Sequence, residues 1–150
     1  MIVHRAAFLL DLIAADNHKP IVGRTKLQKL MFLIQNQVLG DTLYKKDHYI
    51  FEPYKFGPFS VEILDDIELL IDLKLIKKSD EDENEIFEIT EIGQEKLKTI
   101  RSNIPQKILD QIEEIKKQYG KLPIQKLLTY VYQRYPEYTI NSEIRDKIVY

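Results

Sequence analysis

The sequence predicts a mainly helical α+β domain with one small β-hairpin. Apolar residues recur at three- and four-residue spacing in most segments, the signature of half-buried helices. A single β-branched pair of runs near residues 75–89 reads instead as two short strands. The chain of 150 residues, 44% hydrophobic and 31% charged, fits one globular body with its own core.

The elements follow in order. RAAFLLDLIAAD (5–16) carries Phe8, Leu9, Leu12 and Ile13 on one helical face, and Pro20 ends the segment. A second helix starts at Gly23-Arg24-Thr25, with Thr25 as its expected N-cap and Leu27, Leu30, Met31, Leu33 and Ile34 as its stripe. Gly40-Asp41 closes it. Tyr49–Phe51 is expected to be extended and to lead into a stiff aromatic loop, because Pro53 and Pro58 forbid a central strand. Ser60 is the expected cap of a third helix, which buries Ile63, Leu64, Ile67, Leu70 and Ile71 and runs to about Leu73. The strand Leu75–Lys78, an acidic turn Ser79–Glu85 and the strand Ile86–Ile89 make the hairpin, and Thr90 caps a helix directed inward through Leu97 and Ile100. Helix, helix, loop, helix, hairpin, helix is the order of a winged helix. Two further helices are expected in 104–118, through Ile108, Ile112 and Ile115, and after Pro123, through Leu127, Leu128, Val131 and Tyr132. A last short helix is expected in 143–150. The expected organisation is a winged-helix-like core in 1–100 with a helical extension in 101–150 packed on the same domain.

Composition removes several kinds of chemistry. The chain has no cysteine, which excludes disulfides, thiol catalysis and Cys-ligated metal sites. His4, His18 and His48 share no ligand spacing, and no glycine-rich phosphate loop or HExxH is present. Asp65-Asp66 is a carboxylate pair, but adjacent helical residues point about 100° apart and do not converge on one metal. The expectation is a non-enzyme with no cofactor and no metal. The apolar start of the chain is broken by His4, Arg5 and Asp11, too charged for a signal sequence or a membrane span, so a cytoplasmic protein is expected.

Charge separates two readings of function. Residues 1–57 hold eight Lys/Arg against five Asp/Glu, residues 58–100 five against thirteen, and residues 101–150 nine against six. In a DNA-binding winged helix the third helix would enter the major groove. Here it carries Glu62, Asp65, Asp66, Glu68 and Asp72 and no basic residue, and the hairpin tip is acidic as well. Both would repel phosphate. The alternative, a transcriptional regulator, needs a basic patch built from Arg24, Lys26, Lys29, Lys45 and Lys46. The segment YIFEPYKFGPFS (49–60) points elsewhere. Its five aromatics between Tyr49 and Phe59 lie on a backbone stiffened by Pro53 and Pro58, and rigid rings give contact area at small entropic cost. Phe51 and Phe56 are expected in the core. Tyr49, Tyr54 and Phe59, with Asp65 and Asp66, are the candidate contacts for a protein partner.

GRTKLQKLMFLI (23–34), FEPYKFGPFSVEILDDIELLIDLKLI (51–76) and ITEIGQEKL (89–97) carry a resemblance. Together they resemble the Panacea, or SocA-like, antitoxin domain and the related YwgA-like bacterial proteins. The matching motifs fall on Lys26, Leu27, Lys29 and Leu30 and on Pro53, Tyr54, Gly57, Pro58, Phe59 and Ser60. The resemblance implies a small helical domain with winged-helix features that acts chiefly by protein contact, in antitoxins on a cognate toxin. It transfers no catalytic residue.

Overall fold

The computed structural model describes residues 4–40, 42, 44 and 48–140. It is mainly helical with small antiparallel sheets, as the periodicity predicts. The helix expected in 143–150 lies outside the described residues.

Helix α1 (Arg5–His18) starts on His4, whose ring Nδ1 accepts from Ala6 N–H at 3.1 Å. The sequence predicts one buried face. The structure buries α1 on all sides from Phe8 to Asp16, including Asp11, because other helices and the sheet surround it. Asp11 is tolerated there because Arg101 Nε donates to its Oδ1 at 2.6 Å. Regular geometry is lost at Ala15, Asp16 and Asn17, ahead of Pro20. Lys116 takes over the task of the missing helical N–H groups. Its ammonium donates to Ile13 O, Ala15 O and Lys19 O at 2.7, 2.6 and 2.6 Å. Three protons meet three carbonyls, which satisfies both sides of the bond.

A two-residue strand, β1 (Ile21–Val22), follows, too short to show in any hydrophobic period. Helix α2 (Arg24–Ile34) begins on Gly23 rather than Thr25. Gly23 has φ of 99°, a conformation that favours glycine, and this turns the strand directly into the helix. The helix widens to a π-helical stretch over Gln35–Leu39 and stops at Gly40.

The expected aromatic loop is a hairpin. Strands β2 (Glu52–Tyr54) and β3 (Gly57–Phe59) pair antiparallel with Pro53 opposite Pro58. Only two strands are present, so each proline sits on an edge and the rule against prolines in central strands holds. Helix α3 (Val61–Asp72) buries Ile63, Ile67 and Leu70, with Leu64 and Ile71 half-buried.

Strands β4 (Ile76–Glu81) and β5 (Asn84–Ile89) extend further than the sequence predicts, and the turn shrinks to Asp82 and Glu83, both with positive φ. Such a turn matches the twist of a hairpin. Its outer residues are polar on both faces, so periodicity could not reveal the added strand length. The sheet order is β1-β5-β4.

Helix α4 (Glu91–Arg101) is capped as expected, Thr90 Oγ1 accepting from Gly93 N–H at 3.0 Å. Helix α5 (Gln106–Tyr119) packs on α1 and α2, and helix α6 (Ile124–Arg134) packs on α2 and β3. The extension therefore shares its core with the first hundred residues. No helix among the described residues is long and apolar enough to cross a membrane.

Replacing Lys116 with Met keeps the stem and removes the three donors. Each carbonyl left dry costs about 1–3 kcal/mol. The variant should lose about 3 kcal/mol or more in chemical denaturation at pH 7. A loss below 1 kcal/mol would show that the end of α1 is held by something else.

Candidate functional site: a clamped aromatic hairpin

Helix α2 carries polar groups on its inward side, where the apolar stripe leads one to expect packing alone. Gln28 is fully buried and exchanges two hydrogen bonds with the main chain of Ser60, donating to its O at 3.0 Å and accepting from its N–H at 2.9 Å. Two turns further on, Gln35 does the same with Tyr49, both bonds at 2.7 Å. Each side-chain amide thus acts as a substitute strand partner for one backbone residue. Between them Lys29 donates to Pro58 O at 2.8 Å from a site that is 1% exposed. Burial pushes its ammonium down to about 7. The two ends of the segment 49–60 and the middle of its second strand are in this way fastened to α2 and its π-helical continuation.

A second network holds the same segment from the other side. Tyr49 is buried, and its hydroxyl donates to Asp66 Oδ2 at 2.6 Å. Burial, and then this carboxylate, push the phenol far above its usual range. Arg5 Nε donates to the same Asp66 oxygen at 3.0 Å, Arg5 Nη1 to Glu62 Oε2 at 2.7 Å, and its guanidinium lies 4.9 Å from the Tyr49 ring centroid. Glu62 Oε1 accepts from Ile50 N–H at 2.7 Å. Phe51 closes the apolar side against Phe32, with ring centroids 5.1 Å apart.

What this frame presents to solvent is the tip. Tyr54 is 51% exposed and stacks on half-buried Phe59 across the hairpin, with centroids 5.0 Å apart and planes 10° apart. Phe56 is 41% exposed. Gly57 has φ of 86°, and a Cβ there would lie 2.6 Å from the Tyr132 ring, so the tip is pressed onto α6 where only glycine fits.

The candidate residues separate. Tyr54 and Asp65 are exposed, and Phe59 is reachable beside Tyr54. Tyr49 and Asp66 are corrected from partner contacts to interior groups, because each satisfies the other away from water. Asp65 and Asp66 do point apart, one outward and one inward. Phe56 is corrected from core to surface, since the two-residue turn leaves it beyond the packed rings. The described members of the basic patch do not form a free cationic surface. Lys29 is buried, Lys26 donates to Gly120 O and Leu122 O at 2.9 and 2.8 Å, and Arg24 is locked to both oxygens of Glu85 at 2.7 and 2.9 Å. That pairing, Arg24 first and then Lys78, holds the Glu85 carboxyl below its usual range. Lys45 and Lys46 lie outside the described residues. Gln28, Gln35, Arg5 and Glu62 join the site only in the structure. The signal for the first two was polar side chains seven residues apart on a stripe that otherwise reads as core.

Among the described residues no group of three His, Asp or Glu side chains is placed to hold a metal ion. The chain matches no protein-family model and no curated protein.

Lys29 gives the site a pH signature. Its folded-state value lies below the unfolded value of about 10.4. The native state therefore binds fewer protons than the unfolded state between about pH 7 and pH 10, and this contribution to stability rises with pH across that window. The difference in unfolding free energy between wild type and Lys29→Met should grow by at least about 1 kcal/mol from pH 6.5 to pH 10. A flat difference would mean that Lys29 stays charged in place.

Proposed function

We propose that the chain is a non-enzymatic protein-interaction module of antitoxin type, which neutralises or adapts a partner protein in the cytoplasm by direct contact. The observation that carries this reading is the clamped hairpin. A rigid tip offering Tyr54, Phe56 and Phe59 is held by at least five buried or half-buried polar side chains, a large investment for a loop that only connects two helices. The motifs that resemble the Panacea domain are those of the clamp and the hairpin, Lys26 to Leu30 and Pro53 to Ser60. This supports a shared architecture around the tip.

Charge supports a basic partner. Asp65 and Glu68 on α3 and Asp80, Glu81, Asp82 and Glu83 on the hairpin are exposed. A nucleic-acid-targeting toxin, itself basic, fits that surface. A DNA-binding regulator is the second reading. It is favoured by the succession α1, β1, α2, α3 and the hairpin β4–β5 around one sheet of order β1-β5-β4, into which the pair β2–β3 is inserted between α2 and α3. It is opposed by the acidic third helix and by the internal use of Lys26 and Lys29.

A tagged pull-down from the native host with nuclease treatment decides between them. One stoichiometric protein partner is expected, and Tyr54→Ala with Asp65→Ala should weaken it about tenfold, or about 1.4 kcal/mol. Recovery of nucleic acid alone, lost on nuclease treatment and at raised salt, would replace this reading by the regulator.

A further inference from the structure

The sheet β1-β5-β4 is open on its β1 side. Ile21 pairs with Phe87 and Val22 with Ile86, and Gly23 N–H donates to Glu85 O at 2.7 Å. Hydrogen-bonded and non-hydrogen-bonded pairs alternate along an antiparallel ladder. The main-chain groups of Ile21 and Gly23 therefore face β5, and the N–H and C=O of Val22 point away from it, to the free edge. Val22 is 46% exposed.

Beside that edge lies a groove of about 480 Å³, within the size range of ligand sites. Val22, Phe56, Ile124 and Leu128 give it apolar walls. These residues come from β1, the aromatic hairpin and α6, and three of them expose more than two-fifths of their surface, at 46%, 41% and 41%. Exposed apolar side chains scattered singly need no explanation, but convergence on one concavity does.

The charges around the groove choose its occupant. Of the charged residues that line it, Arg24 is paired with Glu85, and Lys26 donates to two carbonyls, which satisfy its protons without cancelling its charge. Glu83 has no cation on it among the described residues, and it continues into the exposed run Asp80, Glu81 and Asp82. The residues that α6 contributes, Ile124, Gln125 and Leu128, are uncharged. The four lining charges, Arg24, Lys26, Glu83 and Glu85, balance, and the excess is the exposed run Asp80 to Asp82 beside Glu83, which makes that one bank negative.

We propose that this groove takes an extended basic–apolar segment of the partner protein, added as a strand to the free edge of β1. The segment's backbone meets the N–H and C=O of Val22. Its alternate side chains enter the apolar groove, and the intervening cations face Glu83 and the acidic turn. The proposal rests on the interaction reading above and names the chemistry of the partner.

Two labelled hexapeptides, Lys-Val-Lys-Ile-Lys-Val and Glu-Val-Glu-Ile-Glu-Val, test it by fluorescence anisotropy on the full chain. The lysine peptide should bind at least tenfold more tightly, with an affinity that falls as salt rises. Val22→Pro removes the outward N–H at an edge position, where proline is tolerated, and should weaken binding at least tenfold. Ile124→Lys changes an exposed helical position and should do the same, so the test does not depend on Val22→Pro folding. Thermal melts establish that each variant is native. No binding, equal binding of the two peptides, or binding unchanged in both native variants overturns the proposal. The interaction reading fails separately. A partner captured through Tyr54 and Asp65 but indifferent to Ile124→Lys sinks the groove alone. Peptide binding to a chain that captures no partner sinks the interaction reading alone.

Discussion

The double hydrogen bonds from Gln28 to Ser60 and from Gln35 to Tyr49 are the constraint on which the rest of this molecule depends. A short hairpin with two prolines and a glycine cannot hold itself, since two strands of three residues are marginal at best. Burying its ends would leave main-chain groups without partners, at a cost of about 1–3 kcal/mol each. The two amides remove that cost and fix the hairpin's position relative to α2. Lys29 adds a third point, and its own desolvation is tolerated because Pro58 O accepts from it. Once the hairpin is fixed, α3 must start at Ser60, and Asp66 comes within reach of the Tyr49 hydroxyl.

The same economy explains why the basic residues of the second helix are not an electrostatic surface. A lysine on an amphipathic helix ordinarily keeps its ammonium in water. Lys26 and Lys29 instead turn theirs onto carbonyls of remote residues: Gly120, which ends α5, Leu122 just beyond it, and Pro58, which faces Pro53 across the hairpin and so meets no ladder N–H there. Lys116 repeats the device at the end of α1. Three lysines that count towards charge in composition act as internal donors in the fold. The acidic residues of α3 and of the hairpin β4–β5 are mostly not consumed in this way, so the exposed charge of this face is more negative than composition suggests.

This division joins structure to function. Lys26, Lys29 and Lys116 turn inward and tie segments of the scaffold together. The outer side is left with the aromatic tip of Tyr54 and Phe56, the apolar groove beside β1, and carboxylates on one bank. Rigid rings beside unbalanced charge are the features by which proteins recognise other proteins, the rings for affinity and the charge for orientation and rate.

The sequence by itself determined the six helices of the described residues, because all but α1 bury one stripe whose period is local and α1 shows the same local spacing. It determined the hairpin β4–β5 and the Thr90 cap, but it read 49–60 as a loop and not as the paired strands β2 and β3. It could not show that α1 is enclosed on every side, since Asp11 reads as solvent-facing until Arg101, ninety residues away, is brought to it. Nor could it show β1, two residues long, which exists only because β5 supplies its hydrogen bonds. Tyr49 and Tyr54 look alike in sequence. Tertiary structure alone decided that one is buried on Asp66 and the other faces water, because that choice depends on which carboxylate and which amide the fold brings to the segment, and those partners are seventeen and fourteen residues from Tyr49.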